Sequence, residues 1–220
     1  MQAFEYSCPT KIVCGAHALR KLADELRDHQ VEKPLLLSDA NLVKLGVAQH
    51  AIEPLEEAGV SFALFDQIPP DSSLDVVNEV VRVYTEEGCD GFVALGGGSV
   101  IDTAKYIGVA ALTEENVWDE YFLKKTPVHA TLPVGALPTI AGTGSEGSFS
   151  CVMTNGILKR SLNDDRIRPV FALMNPELSY TLPAFQTACG AVDIMAHVHE
   201  RYFTRGEDNY LTDNLGESIF

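Results

Sequence analysis

Positive charge is scarce in this 220-residue chain: 16 Lys and Arg stand against 31 Asp and Glu, a formal net charge of −15. Nucleic acid and anionic membrane surfaces need a basic face, so this balance argues against both as main partners. A bound anion would have to be held by helix N-termini and backbone N–H groups. Long hydrophobic runs are also missing. No stretch approaches the roughly 18 continuous apolar residues of a membrane span. The opening MQAFEYSCPTKIVCG has no basic region followed by a long apolar core, so no signal peptide is expected. Cysteines are few and odd in number (Cys8, Cys14, Cys89, Cys151 and Cys189), and no CxxC pair occurs. Reduced thiols and a cytoplasmic location are therefore expected. What is present is an ordinary globular balance, 46% hydrophobic and 21% charged, with enough apolar side chains for a real core.

Helix and strand patterns alternate along the chain. Pro9–Gly15 reads as a short β-branched strand and Ala16–His29 as a helix with Leu19, Leu22, Ala23 and Leu26 on one face. Pro34–Asp39 is a continuous apolar run with a polar end, as a buried parallel strand would be. An amphipathic helix over Ala48–Ala58 stops at Gly59, and a strand follows over Val60–Asp66. After a turn at Pro69–Ser73, Leu74–Glu87 is helical, Phe92–Ser99 is strand and glycine loop, and Val100–Leu112 is helical. Thr131–Ala136 and Pro169–Met174 add strands. Stacked βαβ units imply an α/β fold with a mostly parallel, Rossmann-like sheet. From Pro183 the pattern turns all-helical: Phe185–Phe203 is one helix, and Asp208–Phe220 begins another whose apolar pattern runs to the last residue. This predicts an α/β domain over 1–182 and the start of a truncated helical domain over 183–220, with apolar surface exposed on the final helices.

Several residues could carry chemistry. Gly96, Gly97, Gly98 and Ser99 lie between an apolar strand and a helix, where the backbone can turn sharply and present unpaired N–H groups to a pyrophosphate; a plain tight turn is the alternative. Asp102, in the first helical turn, suits either a ligand contact or a helix dipole. Asp39, ending a strand, suits either a ribose diol, favouring NAD over NADP, or a helix N-cap. Thr139, Gly142, Thr143, Gly144 and Ser145 form a second small-residue loop, either a ligand wall or a polar surface turn. Asp193 and His197 stand four apart on one helix face, where a carboxylate and an imidazole can share one metal ion or simply face solvent as a pair. Two ligands are too few for a catalytic metal, and no histidine follows His199. His199 points elsewhere, Glu200 is placed either to orient His197 or to be solvated, and Cys151 and Cys189 are expected to be structural.

Together LLLSD, VALGGGSVIDTAK, LPTIAGTGSE and TACGAVDIMAHVHE, in this order and spacing, resemble the iron-containing (group III) alcohol dehydrogenase family over essentially the whole chain. The earlier segments are most similar to its lactaldehyde reductase branch and those after about Cys151 to its butanol dehydrogenases; Gly147–Ser148 departs from the family pattern. The resemblance implies an α/β dinucleotide domain followed by an all-helical metal-binding domain, the architecture shared with dehydroquinate synthase. It implies that Gly97, Gly98 and Ser99 hold the pyrophosphate with Asp102 nearby, that Thr139, Thr143 and Lys159 line the cofactor, and that Asp39 is the acid favouring NAD, NADP being the alternative. Asp193 and His197 match the first two ligands of Fe²⁺, with Zn²⁺ as the other candidate; the family's remaining ligands are histidines further along, which are absent. The implied reaction is reversible hydride transfer between a small primary alcohol or aldehyde and NAD(P), in a homodimer. Competing readings are a relative of the dehydroquinate synthase or glycerol dehydrogenase type, and a non-catalytic NAD-binding fragment. Little or no dehydrogenase activity is expected of the 220 residues alone.

Overall fold

The computed structural model describes residues 7–203 and 210–219. Strands β1 (Lys11–Cys14), β2 (Pro34–Leu37), β3 (Ala63–Phe65), β4 (Gly91–Gly96) and β5 (Val134–Pro138) belong to one sheet, as does a later strand over Phe171–Met174. Between β5 and that strand lies an antiparallel hairpin of β6 (Ser150–Asn155) and β7 (Leu158–Asn163), so the sixth sheet strand is β8. The sheet runs β1-β8-β5-β4-β2-β3, and every pairing in it is parallel. The helices are α1 (Leu22–Asp28), α2 (Ala40–Lys44), α3 (Gln49–Glu57), α4 (Val77–Glu87), α5 (Gly98–Ala110), α6 (Ala184–Tyr202) and α7 (Tyr210–Ile219). Among the described residues no helix is long and apolar enough to cross a membrane.

Alternation along buried strands sets the layers. Leu36, Val93, Leu95 and Leu173 face α1 and α3, whereas Leu35, Leu37, Phe92 and Ala94 face α4, α5 and the hairpin. Both faces are covered, which is why β2 and β4 read as unbroken apolar runs. Each fully buried Leu or Phe contributes on the order of 1.5–3 kcal/mol, and the sheet carries many of them.

Several predicted bounds shift for identifiable reasons. β3 starts at Ala63, not Val60, because the Val60 amide donates to Leu55 O and closes α3 beyond left-handed Gly59 (φ 68°). The strand expected at Thr131–Ala136 is β5, displaced toward Pro138: the Leu132 amide bonds to Gly108 O at the end of α5, outside the ladder. The segment Ala16–His29 splits into a 3₁₀ turn, Ala18–Lys21, and α1. Helix α2 and the β6–β7 hairpin were not anticipated. The expected helix Phe185–Phe203 is α6, and α7 falls within the expected Asp208–Phe220, of which Asp208, Asn209 and Phe220 lie outside the described residues. Apolar side chains stand exposed on both, Phe185, Val192, Met195, Leu215 and Ile219 among them.

Gly135 on β5 faces Phe171 on β8, and a methyl group there would lie 2.1 Å from the ring. Gly135→Ala is expected to destabilise the fold by about 1–3 kcal/mol through overpacking, and Gly135→Ala/Phe171→Leu to recover part of that loss. Urea unfolding midpoints measure both; an unchanged midpoint for the single variant would disprove this packing.

Candidate functional site

The sheet's strand order places the site. From β2 the chain moves outward to β3, whereas from β4 it moves the other way to β5. Parallel α/β sheets take ligands in the crevice at such a switch point, here between the C-terminal ends of β2 and β4. Ser38 Oγ donates to Leu95 O at 3.1 Å and holds the two strand ends together. Asp39 follows Ser38 and Gly97 follows β4, so two predicted site residues flank this crevice.

Asp39 caps α2. Its Oδ1 accepts from the Asn41 and Leu42 amides at 2.9 and 3.1 Å. Capping thus occupies one carboxylate oxygen, and the half-buried residue keeps the second at the strand end.

At β4 the glycines serve close approach, and Gly96, Gly97 and Gly98 are absent from the left-handed region. A methyl at Gly96 would lie 2.5 Å from Val100 Cγ2, one at Gly97 3.2 Å from Ile140, and one at Gly98 3.3 Å from Thr143. Gly97 caps α5: Val100 and Ile101 donate to Gly97 O at 3.1 and 3.2 Å. The amides of Gly98 and Ser99 precede those first bonds and form the positive end of the helix dipole. Ser99 offers its backbone only, because its hydroxyl donates to Pro70 O and its carbonyl accepts from Ser72 Oγ at 3.4 Å.

Asp102 stands in the first turns of α5 with its carboxylate turned inward. Its Oδ1 accepts from Ser145 Oγ at 2.5 Å and its Oδ2 from the Val152 amide at 2.9 Å, so its carboxylate ties α5 to the 145–152 segment. Beside it, Lys105, the last residue of the VALGGGSVIDTAK segment, is fully buried; its burial is not legible in the sequence because lysine on a helix is normally a surface residue.

Thr139 is buried at the end of β5, and its amide donates to Gly96 O at 3.1 Å. Thr143 is exposed and packs toward Gly98. A cleft of about 440 Å³ runs along this loop, lined by Cys14, Thr139, Ile140, Gly142, Gly144, Glu146, Asn175 and Ile194 among others. Its apolar character suits a flat ring flanked by a few polar anchors. A larger groove, about 610 Å³, crosses the α1–α3 face away from the glycine loop. Lys159 is not among the lining residues; it stands exposed on β7 opposite Thr154. Thr154 itself is tied to the segment before α4, its amide donating to Ser72 O at 3.0 Å.

α6 meets the same loop at a glycine seam. Left-handed Gly142 (φ 108°) leaves room for Gly190 O and Asp193, and a methyl at Gly190 would sit 2.7 Å from Ala141 O. Asp193 is thereby set against the cleft wall. His197 Nε2 lies 3.7 Å from Asp193 Oδ1, both side chains about half exposed. A carboxylate and an imidazole at this spacing fit a divalent transition metal, but they are two donors where three or four are needed. Among the described residues no group of three or more His, Cys, Asp and Glu is gathered for a metal. His199 packs near Phe203, ring centroids 5.9 Å apart. All five cysteines are free: Cys151 is buried, and burial pushes its thiol well above the usual range. Cys189, in contrast to the structural role expected, is exposed.

Gly190→Ala is expected to force α6 off the 139–146 loop, costing about 1–3 kcal/mol because the opposing atom is backbone and cannot yield. Hydrogen exchange would register faster amides in that loop; unchanged protection and stability would refute the seam.

Comparison with known proteins agrees with this geometry. Residues 9–176 match the family model of iron-containing alcohol dehydrogenase. The chain is 32% identical over 221 residues to NADH-dependent butanol dehydrogenase B of Clostridium acetobutylicum, covering all of this chain and 56% of that protein. It is 38% identical over 209 residues to choline dehydrogenase of Bacillus subtilis, covering 92% of this chain and 52% of that one. The structure of NADH-dependent butanol dehydrogenase A from Thermotoga maritima superposes with a TM-score of 0.90 at 31% identity, over 99% of this chain and 55% of that one. The chain thus spans about half the length of the relatives it matches. The parallel sheet with its glycine-loop crevice and the matches along nearly the whole chain lead to one conclusion: this chain belongs to the iron-containing alcohol dehydrogenase family.

Proposed function

We propose that these residues form the nucleotide-binding half of a metal-dependent alcohol dehydrogenase that uses NAD and a small primary alcohol or aldehyde. The observation that carries this reading is the convergence at one sheet edge of the α5 N-terminus, the Thr139–Ser145 loop and the Asp193/His197 pair. The division falls at residue 182, with 1–182 for the nucleotide and 183–220 opening the metal-binding part.

In this reading the Gly98 and Ser99 amides receive the pyrophosphate, with Gly97 giving access. Asp39 turns its uncapped oxygen to the ribose diol and repels a 2′-phosphate, which favours NAD over NADP. Thr139 and Thr143 line the cofactor, and Lys159 supplies a positive charge from the neighbouring hairpin. Asp102 acts indirectly, by holding the wall. Asp193 and His197 would hold Fe²⁺, or Zn²⁺ as the second candidate, beside the nicotinamide end. When bound, NAD supplies the hydride acceptor and the metal a Lewis acid for the substrate oxygen. The protein's own task is to bring the two within one water-poor cleft and fix their separation. A cytoplasmic homodimer completes the proposal. The presence of only two metal donors among the described residues favours a second reading for the 220 residues taken alone, that of a nucleotide binder without turnover.

Calorimetric titration of NADH and NADPH into the purified chain tests this. NADH is expected to bind at least about tenfold more tightly than NADPH, Asp39→Gly to narrow the gap, and Fe²⁺ to leave NADH affinity unchanged. Alcohol-dependent NADH formation is expected to be negligible. Absence of nucleotide binding would reduce the glycine loop to a turn, and robust turnover would overturn the two-donor argument.

A further inference from the structure

Lys105 lies on α5 with its side chain 0% exposed. Its ammonium donates to Ser145 Oγ at 3.0 Å, Ser148 O at 3.1 Å and Ser150 O at 2.8 Å. Three donors meet three acceptors. Asp102 Oδ1 is 3.6 Å away, receives the Ser145 hydroxyl at 2.5 Å, and shares its carboxylate with the Val152 amide. Burial pushes the lysine below its ordinary pKa, and Asp102 opposes that shift.

The segment held on this side faces the ligand cleft on the other. Gly142 and Gly144 line the cleft, Thr143 packs on Gly98 of the glycine loop, and Gly142 abuts Asp193. Lys105 itself is not among the residues lining the cleft, so it can act on a ligand only through the segment it holds. A stabilising role alone would need no such placement: a methionine of similar volume would fill the core without an ammonium to satisfy. The ammonium fixes Ser145 and Ser148 in an irregular segment that has no ladder of its own between Pro138 and Ser150, and Ser150 where β6 begins.

We propose that Lys105, with Asp102 and Ser145, is a positioning residue for dinucleotide binding, a buried clamp that sets the 142–152 segment so that Thr143 and Gly144 form a fixed wall opposite Gly98. The proposal rests on the nucleotide reading above.

The test uses the full 220-residue chain with NADH as probe. Affinity and emission of bound NADH would be followed by fluorescence, stability by thermal unfolding, and local order by amide hydrogen exchange. Ser145→Ala removes the hydroxyl that bridges Lys105 and Asp102. It is expected to weaken NADH roughly five- to tenfold, to change the emission of bound NADH, and to speed exchange within 142–152 but not in β4 or β8. Ser145→Thr restores the hydroxyl and is expected to restore affinity. Lys105→Met is expected to weaken binding further; should it fail to fold, Ser145→Ala and Asp102→Asn carry the test. Wild-type NADH affinity and emission in both of those variants would overturn the clamp, whatever happens to the melting temperature. Absence of NADH binding by the unsubstituted chain would instead overturn the proposed function. It would overturn the positioning role with it, whereas a chain that binds NADH but shows no loosening confined to 142–152 on Ser145→Ala would overturn the clamp alone.

Discussion

A lysine with no access to water is the constraint around which this site is arranged. An ammonium stripped of solvent is tolerated only when each of its protons has an acceptor and a counter-charge is near. Lys105 meets both conditions through Ser145, Ser148, Ser150 and Asp102. These partners do not come from the helix alone. The three acceptor serines come from a segment 40 to 45 residues downstream that otherwise lacks regular pairing until β6 begins. Satisfying the charge therefore dictates where that segment runs, and hence the cleft wall it forms. Hydrophobic burial builds the sheet and its two helical layers, but it is indifferent to such a loop, whose exposed Thr143 and partly exposed Gly142 bury little. Directional bonds take over where area burial has nothing to specify.

Glycine supplies the second kind of definition, by letting backbones touch. Gly96 admits the Val100 side chain, Gly98 admits Thr143, and Gly142 with Gly190 admits α6 to the loop. These contacts chain together: glycine loop to small-residue loop, small-residue loop to α6, with Asp193 at the end of the series. At the Gly142–Gly190 joint the opposing atoms are backbone, which cannot rotate away as a side chain can. The result places the Asp193/His197 pair and the N-terminus of α5 on either side of one loop.

Much of this was legible in the sequence because it rests on patterns that tolerate few alternatives. Unbroken apolar runs at Leu35–Leu37 and Phe92–Leu95 are what strands covered on both faces require, and Gly59 and Gly88 mark helix ends by the left-handed conformation they adopt. Asp39 was readable as a cap or as a ribose acid, and its geometry permits both, one oxygen for each. Other features were hidden. The β6–β7 hairpin buries only Cys151, Met153 and Leu162 of its two strands, too sparse an alternation to stand out against polar neighbours. Asp102 gave no sign that its carboxylate would turn inward, because its partners are 43 and 50 residues away in the chain. Lys105 is the extreme case. One helical turn from Asp102, it reads as an ordinary surface ion pair, and nothing local records that a distant segment closes over it.

The two halves of the proposed site, one for a nucleotide and one for a metal, differ in what holds them. On the nucleotide side, positions are fixed from within: the sheet edge, the α5 cap and the Lys105 bonds all lie in residues that pack against one another. On the metal side, Asp193 is fixed at its base by the Gly142–Gly190 seam, yet its carboxylate and His197 remain about half exposed. Phe185, Val192 and Met195 on the same helix are exposed as well. The Gly142–Gly190 seam can define where a ligand begins without defining its rotamer, because among the described residues α7 packs on α6 only further along, at Val198 and Tyr202. Metal geometry needs tighter definition than that, from further donors and from groups that orient them. Nucleotide recognition needs less, since helix-end amides and a capped carboxylate are already in place before any ligand arrives. The asymmetry follows from packing and not from the identity of the site residues.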